Sequence, residues 1–212
     1  MTENRTDPRF ILLAVLVAAI SAAAGFSLWK LRQEGPPTMT AALRILPEPR
    51  TLADFSLVDQ DGRPFSLEQL RGKWSLLFFG FTHCPDVCPS ALYDLHRVSQ
   101  SLADAGSDPT AYQVIFVSVD PERDSPGRLK EYVGYFDPDF LAVTGEPKQI
   151  AALTKQIGVA YRIEPHEPGS EQYTVDHSAG IMLVDPQGRL HGVFPAPHDA
   201  DRMAHDMLAI LD

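Results

Sequence analysis

Residues 75–89 read SLLFFGFTHCPDVCP. The first part of this stretch is continuously apolar, which is typical of a strand covered on both faces of a sheet. The Pro-Asp pair between the two cysteines suits the centre of a turn, and Pro89 suits the first position of a helix because its missing N–H has no intrahelical partner to lose. The stretch therefore predicts strand, turn and helix, with Cys84 and Cys88 at the carboxyl edge of a sheet, where ligands commonly bind.

The rest of the chain alternates strand and helix patterns. An Asp-Gly turn at residues 59–62 predicts a hairpin, and Ser66 with Gln69 forms a capping-box pattern before a one-turn helix. Further strands are expected at 75–81, 114–119, 140–143, 181–184 and 190–194, and helices at 89–105, 126–135, 147–157 and 198–211. This order predicts an α/β domain with a thioredoxin-like fold, in which helices flank a central mixed sheet.

Residues 10–29 form a 20-residue stretch without a charged side chain. At about 1.5 Å per helical residue it matches the roughly 30 Å of bilayer hydrocarbon, so we predict a single transmembrane helix, as an anchor or uncleaved signal, after a tail of residues 1–9. A signal peptide cleaved near residues 22–24 is the competing interpretation. Residues 30–50 contain four prolines and are predicted to be a tether, followed by a domain of residues 51–212.

The chain is acidic, with 28 acidic against 18 basic side chains and a formal net charge of −10. Such a domain repels nucleic acid and anionic surfaces, so no nucleic-acid partner is expected. The charges on the two sides of the apolar segment do not decide its orientation. A short leader is most simply arranged with its N-terminus inside, which makes the protein membrane-anchored with its soluble domain on the exported, periplasmic or equivalent, side.

The chain has two cysteines with three residues between them. A structural disulfide, a redox pair and metal ligands all remain open. Redox enzymes of the thioredoxin type have two intervening residues, so the spacing weakens the redox interpretation without excluding it. The positive end of a helix favours thiolates, which both metal binding and disulfide exchange require. Two thiolates favour monovalent copper or zinc, and one imidazole would complete a three-coordinate site.

Spacing alone does not identify that imidazole among seven histidines. His177 is the best placed, because it precedes the strand at 181–184, and in a thioredoxin-like fold the loop before that strand faces the cysteine-bearing helix. His83 is interpreted as an orienting or surface group, since consecutive residues at a strand end point apart. His166 lies in an acidic stretch that we expect to be flexible. The histidines on predicted helices are interpreted as solvated, and these are His96, His198 and His205.

Three segments together resemble the signatures of the Sco/SenC family. They are GFTHCPDVCP at 80–89, SVDPERD at 118–124 and VDHS at 175–178. The resemblance covers roughly residues 52–211 and the leading apolar segment. It implies a copper-binding protein, using Cu(I) and/or Cu(II), that helps to assemble the binuclear copper centre of cytochrome c oxidase subunit II. It would do so by delivering copper, by reducing that subunit's cysteines, or both.

Carried over to this chain, the resemblance implies that Cys84 and Cys88 are the sulfur ligands and His177 the nitrogen ligand. Asp120 either orients a ligand or docks a partner, or is merely a turn residue at a helix entry. Subunit II and a copper-donating chaperone are the candidate partners. The alternative is a membrane-tethered thiol-disulfide oxidoreductase that uses the cysteines as a redox pair on that subunit or another exported protein. Residues 177–180 contain an imidazole and no proline where redox thioredoxins place a cis-proline, which favours metal.

Overall fold

The computed structural model describes residues 41–211 and, before them, Ser21 and Phe26 alone. The chain divides into two compact units, Met1–Thr40 and Ala41–Asp212. Except for those two residues, the predicted membrane segment at 10–29 lies outside the described part, as does the tail at 1–9. No described helix is both long enough and apolar enough to cross a bilayer.

The second unit contains ten strands, four α-helices and one 3₁₀ helix among its described residues. The strands are β1 (Arg44–Thr51), β2 (Leu57–Asp59), β3 (Pro64–Phe65), β4 (Trp74–Gly80), β5 (Tyr112–Ser118), β6 (Leu141–Thr144), β7 (Tyr161–Ile163), β8 (Val175–His177), β9 (Ile181–Val184) and β10 (Arg189–Phe194). The helices are α1 (Val87–Asp104), α2 (Pro126–Phe136), α3 (Pro147–Ile157) and α4 (Ala200–Leu211), and the 3₁₀ helix is Leu67–Leu70.

Eight strands form one mixed sheet in the order β1-β10-β9-β4-β5-β6-β2-β3. Strand β4 is central and pairs parallel with β5 and antiparallel with β9. Its apolar run from Leu76 to Phe79 is at most 1% exposed, as expected for a strand covered on both faces. The predicted α/β fold with a mixed central sheet is confirmed, and the cysteine segment leaves the sheet at the carboxyl end of β4.

Two local turn predictions are also confirmed. Strands β2 and β3 form the predicted hairpin, and Gly62 in its turn has φ of 77°, a left-handed conformation that glycine adopts without strain. Ser66 and Gln69 form both halves of the capping box. These short-range signals are read correctly because the atoms that satisfy them lie within four residues of one another.

The domain begins about ten residues earlier than residue 51, where the sequence predicted the end of the tether. The compact unit begins at Ala41, and residues predicted as tether instead form β1, which pairs antiparallel with β10. The prolines in β1 are compatible with an edge strand, where outward N–H groups need no partner, and the register shifts between Ile45 and Arg50. The carboxylate of Asp206 on α4 accepts the backbone N–H groups of Ala42 and Leu43 at 2.7 and 2.8 Å.

Helix α1 begins two residues before the predicted start. Asp86 is its N-cap, so Cys88 is the second helical residue and Pro89 the third. The first four N–H groups of a helix lack intrahelical partners, so proline at the third position still breaks no hydrogen bond. Cys88 therefore lies inside the first turn of α1 instead of at its cap.

Sequence reasoning missed the two-stranded sheet of β7 and β8. His177, expected in a loop, is the last residue of β8 and pairs with Tyr161 on β7. Each strand has three residues, too few for a period-2 pattern to be recognised. A short ribbon therefore presents the candidate third ligand, and residues 164–174 link its two strands.

Candidate metal centre

The candidate site lies where β4, the first turn of α1 and the end of β8 meet. Cys84, in the loop before α1, is partly buried, whereas Cys88 is 0% exposed. Both cysteines are free thiols. The structure therefore brings together the two predicted sulfur donors and the predicted histidine, although His177 is distant from them in sequence.

The three donor atoms are close enough to share one ion. The Sγ of Cys88 lies 3.3 Å from Nε2 of His177, and the Cys88 backbone N–H donates to Sγ of Cys84 at 3.4 Å. All three ligand atoms lie within 4.8 Å of one another. Bonds of about 2.0–2.3 Å to sulfur and nitrogen place trigonal ligands roughly 3.8 Å apart. The arrangement thus fits a three-coordinate soft metal ion after small adjustments.

The imidazole of His177 presents Nε2 to the sulfurs. Its Nδ1 lies 3.1 Å from the carbonyl oxygen of Ser178, which only accepts, so Nδ1 carries a proton and Nε2 is the ring nitrogen placed to bind metal. The rings of Phe81 and Phe78 meet the imidazole edge-on at 5.9 and 6.0 Å. This aromatic wall limits rotation of the ring.

The two thiols are coupled. The hydrogen bond from the Cys88 thiol is the largest of the effects that lower the pKa of Cys84 to about 4, and the backbone N–H groups of Asp86 and Cys88 act in the same direction. The same hydrogen bond, reinforced by burial, raises the pKa of Cys88. The pair gives up its first proton easily and holds the second strongly. A metal ion that binds both sulfurs must displace that second proton.

Gly80, the last residue of β4, makes room for the buried sulfur. A Cβ at this position would lie 2.6 Å from Sγ of Cys88 and 2.9 Å from the ring of Phe116. Neither distance is compatible with a normal van der Waals contact. The glycine in the quoted stretch is thus a steric requirement of the site, which sequence reasoning did not single out.

Sequence reasoning also missed Asp124, which fixes the start of the cysteine loop. This buried carboxylate accepts the backbone N–H of Thr82 at 3.0 Å and its hydroxyl at 2.6 Å. It also accepts the hydroxyl of Ser118 at 2.7 Å. Because three donors converge on it, a buried charge is satisfied and the loop is tied to the end of β5. The only sequence signal was its place within the segment at 118–124.

Asp120 is fully buried and does not touch the donor atoms. Its carboxylate accepts Nε of Arg123 at 2.5 Å and the hydroxyl of Tyr173 at 2.5 Å. We call these three residues the Asp120–Arg123–Tyr173 cluster. Tyr173 lies two residues before the start of β8, so Asp120 is linked to the strand that carries His177.

The remaining histidines lie outside the group of donor atoms. His83 is beside Thr82 and the guanidinium of Arg128, which is 3.2 Å from its Nε2. His96 pairs with Asp137 at 2.9 Å. The prediction of a solvated His198 is wrong. Its Nε2 is buried without a hydrogen-bond partner among the described residues. The residue precedes α4 instead of lying on it, and its ring packs against Phe78.

The fold and the site together define a thioredoxin-like domain with a soft-metal or dithiol centre of two cysteines and one histidine. The SCO1/SenC family model matches residues 45–212. The chain therefore belongs to the SCO1/SenC family.

Similar proteins span most of the domain. A putative copper-binding protein of Stutzerimonas stutzeri is 37% identical over 175 residues, covering 81% of this chain and 82% of the relative. The structure of Bradyrhizobium japonicum ScoI with copper bound is 35% identical, with a TM-score of 0.66, and covers 75% of this chain and 98% of that one. BsSco, a member of the Sco family of cytochrome c oxidase assembly proteins with a disulfide switch, is 25% identical, with a TM-score of 0.59, covering 78% and 96%.

Proposed function

We propose that this protein binds copper through Cys84, Cys88 and His177 and passes it to subunit II of cytochrome c oxidase, for assembly of the binuclear copper centre. Residues 10–29 anchor it in the membrane by a single helix, with the domain on the exported side. A separate copper chaperone supplies the metal. The observation that carries the proposal is the convergence of two sulfurs and one imidazole nitrogen within 4.8 Å.

The donor set suits copper as a cargo. Thiolates prefer Cu(I), and an imidazole nitrogen also accommodates Cu(II), so one site accepts either oxidation state. The copper bound to the similar Bradyrhizobium japonicum protein supports this choice of metal. Two ligands lie four residues apart, in the loop before α1 and in its first turn, and the third arrives on a separate short ribbon. A site divided in this way opens by moving one element, which favours transfer over permanent storage.

Copper titration of the full-length protein tests the proposal. Competition against a chromophoric chelator measures Cu(I) affinity, and the visible spectrum of the Cu(II) form reports sulfur ligation. Replacing His177→Ala removes one of three donors and should weaken both affinities, most strongly for Cu(II). His205→Ala, on the exposed face of α4, is the matched control. Wild-type affinities in His177→Ala would show that the three-ligand site is wrong.

Delivery is tested separately with an isolated copper domain of an oxidase subunit II. Mixing it with the copper-loaded protein should produce the optical spectrum of the binuclear centre and deplete copper from the donor. A mixture in which copper stays on the donor, although the acceptor's cysteines are reduced, would contradict delivery.

The second candidate function is reduction of cysteines in that subunit or another exported protein. It is favoured by the unequal pair, in which Cys84 is partly exposed with a pKa lowered to about 4 and Cys88 is buried. The Cys84 thiolate would attack the partner's disulfide, and Cys88 would release the partner as a dithiol, leaving a Cys84–Cys88 disulfide. Measuring the reduction potential decides this, since a pair more oxidising than its substrate cannot reduce it.

A further inference from the structure

The ribbon that carries His177 needs support from outside itself. Strands β7 and β8 form a two-stranded sheet that is not paired with the eight-stranded one. An isolated two-stranded ribbon is at best marginally stable in water. Since Nε2 of His177 is nevertheless placed 3.3 Å from a buried sulfur, other contacts must fix the ribbon in position.

Arg123 makes contacts of this kind. Its side chain is only 5% exposed, and its Nη1 donates to the carbonyl oxygens of Glu171 and Tyr173, both at 3.0 Å. Its guanidinium also lies 3.6 Å from the centre of the Tyr173 ring, a favourable cation–π distance. One side chain thus holds the backbone immediately before β8 by two hydrogen bonds and a stacking contact.

The other side of Arg123 is attached to the main sheet. Its Nε donates to Asp120, which lies two residues after the end of β5. The hydroxyl of Tyr173 donates to the second oxygen of the same carboxylate. The guanidinium also lies 5.5 Å from the ring of Phe81, which is in edge contact with His177. Arg123 therefore lies between the start of the cysteine loop and the element that carries the histidine.

An outer layer covers this cluster. His166 stacks on Tyr173 with ring centres 3.6 Å apart and an interplanar angle of 11°. Glu122 accepts the backbone N–H of Gly169 at 3.0 Å and lies 2.9 Å from Nε2 of His166. The link between β7 and β8 is folded onto the turn that contains Arg123, so the guanidinium is shielded from water. Hydrogen bonds in such a shielded environment are stronger than in water.

We propose that Arg123 is the positioning residue for the third metal ligand. By joining Asp120 to the backbone of residues 171–173, it holds His177 beside the sulfurs before the metal arrives. This inference rests on the proposed copper site. Without the bridge, the ribbon would have to become ordered when the metal binds, and this ordering would reduce the free energy of metal binding. Replacing a residue that orients a metal ligand typically weakens metal affinity by roughly 10- to 100-fold.

The decisive test is a double-mutant cycle in the full-length protein. Arg123→Lys keeps the positive charge, but one ammonium group cannot replace the separate Nε and Nη1 contacts to Asp120 and to the two carbonyls. It should weaken Cu(II) affinity at least tenfold and alter the spectrum of the Cu(II) form. In a His177→Ala background the same change should have an effect of less than about twofold, because the ligand that it positions is absent. Equal losses in both backgrounds, or no loss in either, would overturn the proposal.

Arg202→Lys is the matched control, because Arg202 also bonds an aspartate three residues earlier through Nε, at 2.8 Å, but on an exposed surface. Hydrogen exchange of the metal-free protein separates the two possible failures. Arg123→Lys should increase exchange at residues 171–177 relative to the main sheet, and unchanged protection there overturns the positioning role whatever copper does. Failure of the unaltered protein to bind copper would instead refute the proposed function.

Discussion

Replacing Gly80 with alanine should damage the site through one added methyl group. The new Cβ would be 2.6 Å from Sγ of Cys88 and 2.9 Å from Cε2 of Phe116, whereas ordinary contacts begin at 3.4 Å. The sulfur must therefore retreat by about 0.8 Å, several times the roughly 0.2 Å tolerance of a metal–ligand distance. Cys88 cannot relieve the contact by moving into solvent, since it is 0% exposed.

The expected cost is that of overpacking a core, about 1–3 kcal/mol. If the whole cost falls on metal binding, copper affinity decreases by roughly 5- to 150-fold, and any part absorbed by the fold appears as a lower free energy of unfolding. Competition titration and denaturant unfolding of the metal-free protein measure the two parts.

Gly134→Ala is the control, because a Cβ there meets nothing within 4 Å and alanine favours the helix. It should leave copper affinity unchanged. Gly80→Ala with native affinity and native stability together would refute the steric argument.

Two further predictions concern the cysteine loop. The rate of Cys84 alkylation should stay at its plateau as the pH falls from 8 to 5 and be halved only near pH 4, because the pKa of this thiol is lowered to about 4. Mass spectrometry measures the alkylation rate. A midpoint at the ordinary thiol pKa of about 8.5 would contradict the hydrogen-bonded thiolate. Thr82→Val should lower the free energy of unfolding, measured with denaturant, by about 1–3 kcal/mol, because it removes a donor to buried Asp124. Thr110→Val, whose hydroxyl donates to exposed Asp108, should be near neutral, and equal losses in the two would refute the special role of Asp124.

The sequence was sufficient to predict those elements whose signals come from neighbouring residues. The continuous apolar run of β4, the Asp-Gly hairpin and the capping box each depend on neighbouring residues, and each is confirmed. Prolines at 47 and 49 concealed β1, because an edge strand tolerates a residue that a central strand excludes. Strands of three residues, such as β8, are too short to leave a periodic pattern.

The site was predictable in part. The two cysteines follow from turn and helix chemistry, whereas His177 was plausible by position and was selected only through its resemblance to a family signature. The roles of Asp124 and Arg123 depend on contacts more than 40 residues apart in sequence, and no pattern in a single sequence reports such distances. Gly80 illustrates the same limit, because its importance lies in the atoms that surround it.

The unequal burial of the two cysteines imposes an order on ligand exchange. An incoming thiolate can approach a bound ion from the side of partly exposed Cys84 and His177, but not through Cys88, which the core encloses. We therefore expect an associative handover in which the outer two bonds are replaced first and the inner bond to Cys88 breaks last. Until then the ion would be shared between donor and acceptor, so that it is never released into solution.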